Sequence, residues 1–305
     1  MVSLTAFDEN GQLDEGGMRA HLRRLADAGV GVYVGGSGSG EGRTLSLAET
    51  QAILEIAADE LKGKAPVRGM GVDPFTAGEM VQVAKLVESV GLDAMQIYTP
   101  VLSNATEAEL EAYFDEVLSV VRIPAILSIH HATYRVSVEL LVRVLRRFGN
   151  VIGINCTNAD DRLIQSVDPR IQIHVADRNQ ILNHLALGGH GFVTSEGNLA
   201  PRLCQSIVDF ARAGNWASLR PAAATLIRLH RFNATIGGVR AIKGALQILG
   251  LPGGFPRKPR LPAAEAELAA IARMLDELDV RRLEGLPEQQ LARSASGLPS
   301  EVQRG

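Results

Sequence analysis

The sequence predicts an α/β protein, specifically a (β/α)₈ TIM barrel followed by a C-terminal helical region. Up to about residue 195, eight short apolar and β-branched runs alternate with longer amphipathic segments of helical period. Several of the short runs are apolar throughout, which is typical of parallel strands that helices cover. Beyond about residue 200 the pattern is helical alone. The last helices are therefore expected to follow the barrel rather than to belong to it.

Eight strands that are each followed by a helix favour a closed barrel over an open sheet. The alternative is a doubly wound sheet, which usually carries a phosphate-binding loop after its first strand, and none follows the first strand here. The predicted strands are residues 2–5, 31–34, 67–72, 94–98, 125–129, 151–155, 171–175 and 191–194. The predicted helices are residues 15–28, 47–61, 77–90, 107–121, 138–148, 159–166, 179–187, 202–213, 216–232, 239–248 and 263–283.

Local signals support two of the helix starts and suggest domain limits. Ser46 with Glu49, and Thr106 with Glu109, have the spacing of a capping box. We assign residues 1–214 to the barrel and residues 215–285 to the helical region. Residues 286–305 are polar and weakly periodic, which predicts a flexible tail.

Composition excludes several classes of function. The chain has 305 residues, is 46% apolar and has a net charge of −3, with no basic cluster for a nucleic acid. No apolar run approaches the roughly 20 residues of a membrane span, and no signal-peptide pattern opens the chain. Cys156 and Cys204 form no disulfide framework. These features predict a cytoplasmic protein that binds neither nucleic acid nor membrane.

A glycine-rich stretch, residues 33–41, follows the second predicted strand. Its small residues let a ligand approach the backbone, and its consecutive N–H groups can form an anion-binding nest. An ordinary strand-to-helix turn would also be rich in glycine. No Gly-Lys-Ser/Thr follows, so the stretch is not a P-loop. Ser37, Gly38 and Ser39 are therefore candidates for binding a substrate carboxylate.

Several short motifs follow one another in order along the chain. They are Thr5-Ala6-Phe7-Asp8, Gly38-Ser39-Gly40-Glu41, Thr44-Leu45-Ser46, Gly153-Ile154, Gly188-Gly189, Asn198-Leu199-Ala200-Pro201, Ile242-Lys243 and Leu249-Gly250-Leu251-Pro252. Together they resemble the dihydrodipicolinate synthase / N-acetylneuraminate lyase family, over roughly residues 3–262. The resemblance implies a (β/α)₈ barrel, usually a tetramer built from dimers, whose site at the strand C-terminal ends binds pyruvate or another 2-oxo acid. Members typically catalyse aldol addition, cleavage or dehydration through a lysine Schiff base.

The most informative departure from the family lies at Asn155, where the family has its Schiff-base lysine. An amide nitrogen is not a nucleophile, so Asn155 cannot form an imine. The chain has 26 arginines but only five lysines, and none is predicted at a strand C-terminal end. Schiff-base catalysis is therefore not expected. The lysines are Lys62, Lys64, Lys85, Lys243 and Lys258.

Other positions depart from the family pattern together with Asn155. Ser128 stands where the family has a tyrosine on its fifth strand. In the family, an aromatic pair carries a second tyrosine, which each subunit contributes to the site of its neighbour. Val101-Leu102 replaces that pair here. Gly38 and Ser39 stand where the family has two threonines.

Two histidines are new at the end of the fifth predicted strand. Strand alternation puts His130 on the same side as Ser128, and His131 on the other. Because histidine titrates near neutral pH, His130 is a candidate for acid–base catalysis. The alternative is that both histidines are hydrogen-bonded loop residues. Arg135 could pair with a carboxylate, or lie in a solvated loop. No third ligand is evident for a metal, and no cofactor is expected.

Two hypotheses follow. In the first, the protein is a divergent lyase that acts on a small carboxylate without covalent catalysis. Gly38 and Ser39 hold the carboxylate, Asn155 donates a hydrogen bond to a developing oxyanion, and His130 transfers the proton. The other candidate site residues are Ser128, His131 and Arg135. In the second, it is a non-catalytic barrel that binds a ligand or a partner, because fold alone does not decide function. Either way, a homo-oligomer, a dimer or a tetramer, is expected.

Overall fold

The computed structural model describes residues 1–129, 135–158 and 160–287. Its centre is a parallel sheet in which each strand pairs with the next in sequence order. The strands are β1 Val32–Val34, β2 Val67–Gly69, β3 Ala94–Tyr98, β4 Ala125–Ser128, β5 Val151–Cys156, β6 Gln172–Val175 and β7 Gly191–Phe192.

The first extended segment, residues 1–5, closes the sheet into a barrel. Val2 forms a parallel bridge with Tyr33 of β1, and its backbone N–H donates to the Thr194 carbonyl just beyond β7 at 3.2 Å. This segment occupies the position of the eighth strand of the barrel. It pairs with its neighbours through single bridges rather than through the longer strand predicted for residues 2–5. The predicted α/β barrel with C-terminal helices is confirmed.

Helices follow the strands, and four more complete the C-terminal region. They are α1 Glu15–Asp27, α2 Leu47–Leu61, α3 Ala77–Val90, α4 Glu107–Leu118, α5 Val138–Arg147, α6 Asp161–Ser166, α7 Ile181–Ala186, α8 Pro201–Arg212, α9 Trp216–Ile236, α10 Val239–Leu249, α11 Glu265–Glu277 and α12 Val280–Leu283. Short 3₁₀ turns occupy Gly42–Thr44, Arg178–Gln180 and Glu196–Asn198. Within the described ranges, no helix is both long and apolar enough to cross a membrane.

Most helix starts agree with the sequence prediction, but α4 ends at Leu118 rather than at residue 121, and α9 continues to Ile236 rather than ending at residue 232. Two other helix predictions also differ from the structure. The single helix predicted over residues 263–283 is wrong, because Asp279 has φ +50° and separates α11 from α12. The helix predicted to begin at Asn179 starts instead with the 3₁₀ turn Arg178–Gln180. Both predicted capping boxes form, with Ser46 Oγ accepting from Glu49 N at 3.2 Å and Thr106 Oγ1 from Glu109 N at 3.3 Å. The predicted tail begins at residue 286, and its residues from 288 onward lie outside the described ranges.

Residues along the strands alternate between the inside of the barrel and the helix shell. Ile97, Leu127 and Ile154 pair in register and are fully buried in the hydrophobic core. Their neighbours of opposite parity, including Gln96 and Asn155, point into the barrel. The helix shell therefore rests on an apolar face, whereas the inside of the barrel carries polar side chains.

Asn198 fastens the closing segment to the end of the barrel. Its Oδ1 accepts from the Leu4 backbone N–H and from His21 Nε2, both at 2.9 Å, and its Nδ2 donates to the Val2 and Ser195 carbonyls, both at 2.8 Å. The side chain is fully buried. All four hydrogen-bonding positions of this amide are thus used to hold the two edges of the barrel together.

Asn198→Leu should lower the free energy of unfolding by about 3 kcal/mol, because the variant leaves buried polar groups without partners. Urea unfolding followed by circular dichroism measures this loss. The control is Asn183→Leu at an exposed position of α7, which is expected to change stability by about 0.5 kcal/mol or less. Equal effects of the two variants would contradict this account of barrel closure.

Candidate functional site

A small cavity opens where the strands end at their carboxyl side, the position at which barrels of this type hold their ligands. Its volume is about 180 Å³, smaller than the roughly 300–1,000 Å³ of pockets for drug-sized ligands. The cavity therefore has the scale of a small metabolite. Its lining residues are Val2, Gly38, Ser39, Met70, Gln96, Tyr98, Ala176, Arg178, Val193, Thr194 and Ser195.

The glycine-rich loop forms one wall of this cavity. The loop folds back tightly on itself: a Cβ on Gly40 would lie 2.6 Å from the Gly36 carbonyl oxygen, so only glycine fits there. Ser39 Oγ donates to Ser195 Oγ at 2.6 Å across the cavity edge. Of the three predicted loop residues, Gly38 and Ser39 line the cavity, whereas the Ser37 hydroxyl turns away and donates to Asp73 Oδ2 at 3.0 Å.

A buried ion pair holds the end of this loop. Lys243 Nζ of α10 donates to Glu41 Oε2 at 2.6 Å, to the Thr5 carbonyl at 2.8 Å and to the Phe255 carbonyl at 2.7 Å. Burial lowers the pKa of Lys243, and the charge of Glu41 opposes that shift. Glu41 adopts φ +51°, an uncommon conformation for a residue with a side chain. The contacts of its carboxylate keep the loop in that conformation.

Lys243→Met should cost about 3 kcal/mol of unfolding free energy, because the buried Glu41 carboxylate loses its closest cation and keeps only Arg260, whose Nε lies 3.9 Å away. The double variant Lys243→Met/Glu41→Gln should recover much of this loss, since the poorly compensated charge is gone. A double-mutant cycle measured by urea unfolding tests the coupling. Additive single effects would show that the two groups do not stabilise each other.

Arg178 brings a positive charge to the cavity. Its Nε donates to Glu196 Oε2 at 3.2 Å and its Nη1 to the Ala176 carbonyl at 2.9 Å, which leaves Nη2 without a partner in the described structure. Glu196 also accepts from His230 Nδ1 of α9 at 3.0 Å and from the Thr194 hydroxyl. Burial by itself would raise the pKa of Glu196, but His230, Arg178 and Thr194 together bring it down to about 2. Glu196 therefore stays ionised and fixes the orientation of Arg178.

The stability of the protein should depend on pH through Glu196. The pKa of Glu196 is lower in the folded state than the ordinary 4.5. Its contribution to the free energy of unfolding is therefore complete above about pH 4.5 and is lost as the pH falls toward 2. Arg178→Met should shrink this contribution by about 1–2 kcal/mol at neutral pH. Urea unfolding at pH 7, 4 and 3 measures the difference, with exposed Arg122→Met as the control. Parallel profiles for the native protein and Arg178→Met would refute the coupling.

Tyr98, the last residue of β3, presents a phenol at the cavity. Its hydroxyl hydrogen-bonds to Ser37, whose own hydroxyl donates to Asp73, and Arg43 Nη2 holds that carboxylate at 2.9 Å. Burial, and then the charge of Asp73, raises the pKa of Tyr98, so the phenol stays protonated. Tyr98, Ser37 and Asp73 form a chain of hydrogen bonds from the cavity to the half-exposed Arg43.

Asn155 points into the barrel, one layer below the cavity. Its Nδ2 donates to the Tyr33 hydroxyl at 3.1 Å and to Gln96 Oε1 at 2.6 Å, and Gln96 in turn lines the cavity. Both amide hydrogens are therefore engaged inside the barrel, and the donation of Asn155 to an oxyanion stays a prediction. Ser128, paired with Tyr98 and Asn155 in register, is fully buried, and its Oγ has no partner among the described residues.

The remaining predicted site residues do not join this group. His130 and His131 lie outside the described ranges, so their placement stays a prediction. Arg135 is exposed and does not line the cavity. Its contact with a substrate also stays a prediction.

Sequence reasoning missed Arg178 and Tyr98. A signal for Tyr98 was present, because it ends a predicted strand with the same parity as the inward-facing Gln96. Arg178 begins a 3₁₀ turn three residues beyond the predicted strand, where strand parity no longer applies.

Lysines lie away from the cavity. Lys62 ends α2, Lys64 is exposed in the following loop and Lys85 is exposed on α3. Lys258 is exposed in the loop before α11, and Lys243 is the one buried lysine, with its amine facing Glu41. Among the residues that the structure describes, no group of three His, Cys, Asp or Glu side chains is placed to hold a metal ion.

A parallel barrel with a small polar cavity at the carboxyl ends of its strands is the arrangement on which many barrel enzymes are built. The family model described as "Dihydrodipicolinate synthetase family" matches residues 1–278. The chain belongs to this family, whose members include lyases.

Named relatives and solved structures agree with this assignment. A 4-hydroxy-tetrahydrodipicolinate synthase of Anaeromyxobacter dehalogenans (strain 2CP-C) is 29% identical over 280 residues, 89% of this chain and 94% of that protein. The E. coli K12 prophage protein YagE, solved in complex with pyruvate, superposes with a TM-score of 0.83 at 26% identity, covering 92% of this chain and 98% of that one. Dihydrodipicolinate synthase from Aquifex aeolicus, at 20% identity and a TM-score of 0.83 over 92% of this chain and 97% of that one, supports the fold.

Proposed function

We propose that the protein is a lyase for a small 2-oxo acid or related carboxylate, acting on a carbon–carbon or carbon–oxygen bond without a lysine Schiff base. One observation carries the proposal: a guanidinium, two serine hydroxyls and a phenol surround a cavity of about 180 Å³ to which no lysine contributes. The relatives named above support the lyase class. The lining of the cavity, to which no lysine contributes, supports catalysis without a covalent intermediate.

Arg178 is the proposed carboxylate-binding residue, in place of the exposed Arg135. Its Nη2 is unpartnered among the described groups, and Glu196 fixes the guanidinium plane through Nε. A guanidinium held in this way pairs strongly with a carboxylate. Ser39, Ser195 and the backbone of Gly38 line the same cavity and supply further hydrogen-bond donors.

Tyr98 is the proposed proton donor. The Tyr98 O–H, which bonds to Ser37 in this structure, would turn to a substrate carbonyl and transfer its proton as negative charge develops on that oxygen. The phenolate would then regain a proton from solvent through Asp73 and Ser37. His130 remains the second candidate for this step, from the sequence prediction. Without an imine, activation of the carbonyl rests on these hydrogen bonds alone.

One observation favours the non-catalytic alternative. The amide of Asn155 is part of the barrel interior, bonded to Tyr33 and Gln96 rather than free at the cavity. A protein that only binds a ligand would retain Arg178 and the glycine-rich loop without needing a proton donor. The two functions differ in whether the protein has a turnover that Tyr98→Phe reduces.

Two further properties belong to this proposal. We expect a homo-oligomer, a dimer or a tetramer, as the family resemblance implies, and light scattering tests this. We place the protein in the cytoplasm, consistent with Cys156 and Cys204 being free and buried.

Incubation with pyruvate and borohydride should give no stable mass adduct, because no amine reaches the cavity. Intact-mass spectrometry measures the outcome, with a lysine-bearing family member treated in parallel as the positive control. A reduced adduct, mapped by peptide digestion to Lys243 or any other lysine, would restore the Schiff-base mechanism and overturn the proposal.

Variants at the cavity should separate binding from chemistry. A thermal-shift screen of 2-oxo acids first identifies a ligand. Arg178→Met should then weaken its affinity by about tenfold or more, because the carboxylate loses a charged partner. Tyr98→Phe should leave affinity within about threefold but reduce turnover by about 10²-fold or more. The control Ser89→Ala, which removes an exposed hydroxyl on α3, should leave affinity and turnover near native values.

The same assays decide against the proposal in two ways. A ligand that binds through Arg178 while the native protein turns nothing over would establish the non-catalytic barrel. Turnover that survives Tyr98→Phe and disappears in His130→Ala would transfer the proton step to His130.

A further inference from the structure

A second cavity, of about 310 Å³, opens at the opposite end of the barrel, where the strands begin. Its lining includes several hydrogen-bond donors and, among the described residues, no aspartate or glutamate. Two arginines, two histidines and two glutamines face it. These are Arg68, Arg212, His174, His190, Gln172 and Gln205.

Arg68 forms the floor of this cavity and lacks a counter-ion. It belongs to β2 and is half-buried, and no carboxylate oxygen in the described part of the chain lies within 4 Å of its guanidinium. Its contact is with the Tyr33 ring, whose centroid lies 5.2 Å from the guanidinium carbon. Removing a charge from water without a charged partner is costly. The positive charge of Arg68 therefore favours the binding of an anion at the floor of the cavity.

The groups around Arg68 present further donors to the cavity. His190 Nδ1 accepts from the Ile173 backbone N–H at 3.2 Å, so the proton of the neutral ring resides on Nε2. His174 is half-buried, and its Nδ1 has no partner in the described structure. Arg212 and Gln172 are exposed, so they lie at the rim, with Arg68 deeper. A ligand would thus enter past one arginine and meet the second at the bottom.

We propose that this cavity is a binding site for a phosphate group, separate from the candidate active site at the other end of the barrel. Two guanidinium charges match the charge of a phosphate dianion, and several neutral donors match its oxygens. The group could arrive as inorganic phosphate or as the phosphate of a small metabolite. The recognition chemistry is the same for both sources.

Isothermal titration of the full-length protein with inorganic phosphate, at constant ionic strength, tests the proposal. One phosphate per chain is expected to bind saturably. Arg68→Met should weaken binding at least tenfold, and Arg212→Gln, on an exposed position that should not disturb folding, at least threefold. Arg122→Gln, an exposed arginine elsewhere, and Arg178→Met at the other cavity should leave the affinity unchanged.

Parallel titrations with glycerol 3-phosphate identify the source of the group. An affinity at least tenfold above that of inorganic phosphate assigns the site to a phosphorylated metabolite, and equal affinities assign it to free phosphate. The proposal is overturned if neither probe binds saturably, if binding survives both Arg68→Met and Arg212→Gln, or if Arg178→Met abolishes it.

Discussion

The structure depends most on the buried ion pair between Lys243 and Glu41. A single ammonium group joins the end of the closing segment, the glycine-rich loop, and the turn before α11 through the Thr5, Glu41 and Phe255 oxygens. A buried charge needs such complete satisfaction, so each of these elements constrains the others. The C-terminal helices are therefore tied to the cavity wall. The same contact assigns the one buried lysine to structure rather than chemistry.

At the cavity, the chemistry that remains is electrostatic. Arg178 and Tyr98 are each fixed by a further layer of side chains, Glu196 behind the first and Ser37 behind the second. Such support keeps donors aimed at a site before substrate arrives, which is the condition under which hydrogen bonds contribute most to stabilising developing charge. His230 of α9 hydrogen-bonds to Glu196, so α9 also helps to position Arg178. The helical region thus influences the site through two separate contacts.

Local sequence signals predicted the elements well because they act over short distances. The capping residues Ser46 and Thr106 begin helices where expected, since a cap is satisfied within one turn. The break at Asp279 was missed because a left-handed residue other than glycine leaves little trace in a periodicity pattern. The roles of Arg178 and Asn155 were beyond such reasoning. A side chain can reach the cavity, or it can make all its hydrogen bonds one layer below the cavity. Which of these occurs depends on strand register and on partners far away in sequence.

The setting of Asn155 also limits which side chains that position can hold. Its amide is bonded to Tyr33 and Gln96 inside the barrel, and the Arg68 guanidinium lies 5.2 Å from the centre of the Tyr33 ring. A lysine at position 155 would carry a charge into this interior and bring a second cation toward one that has no counter-ion among the described residues. A single Asn155→Lys substitution would therefore be penalised by its neighbours. An amine becomes acceptable there only if several of these interior residues change together.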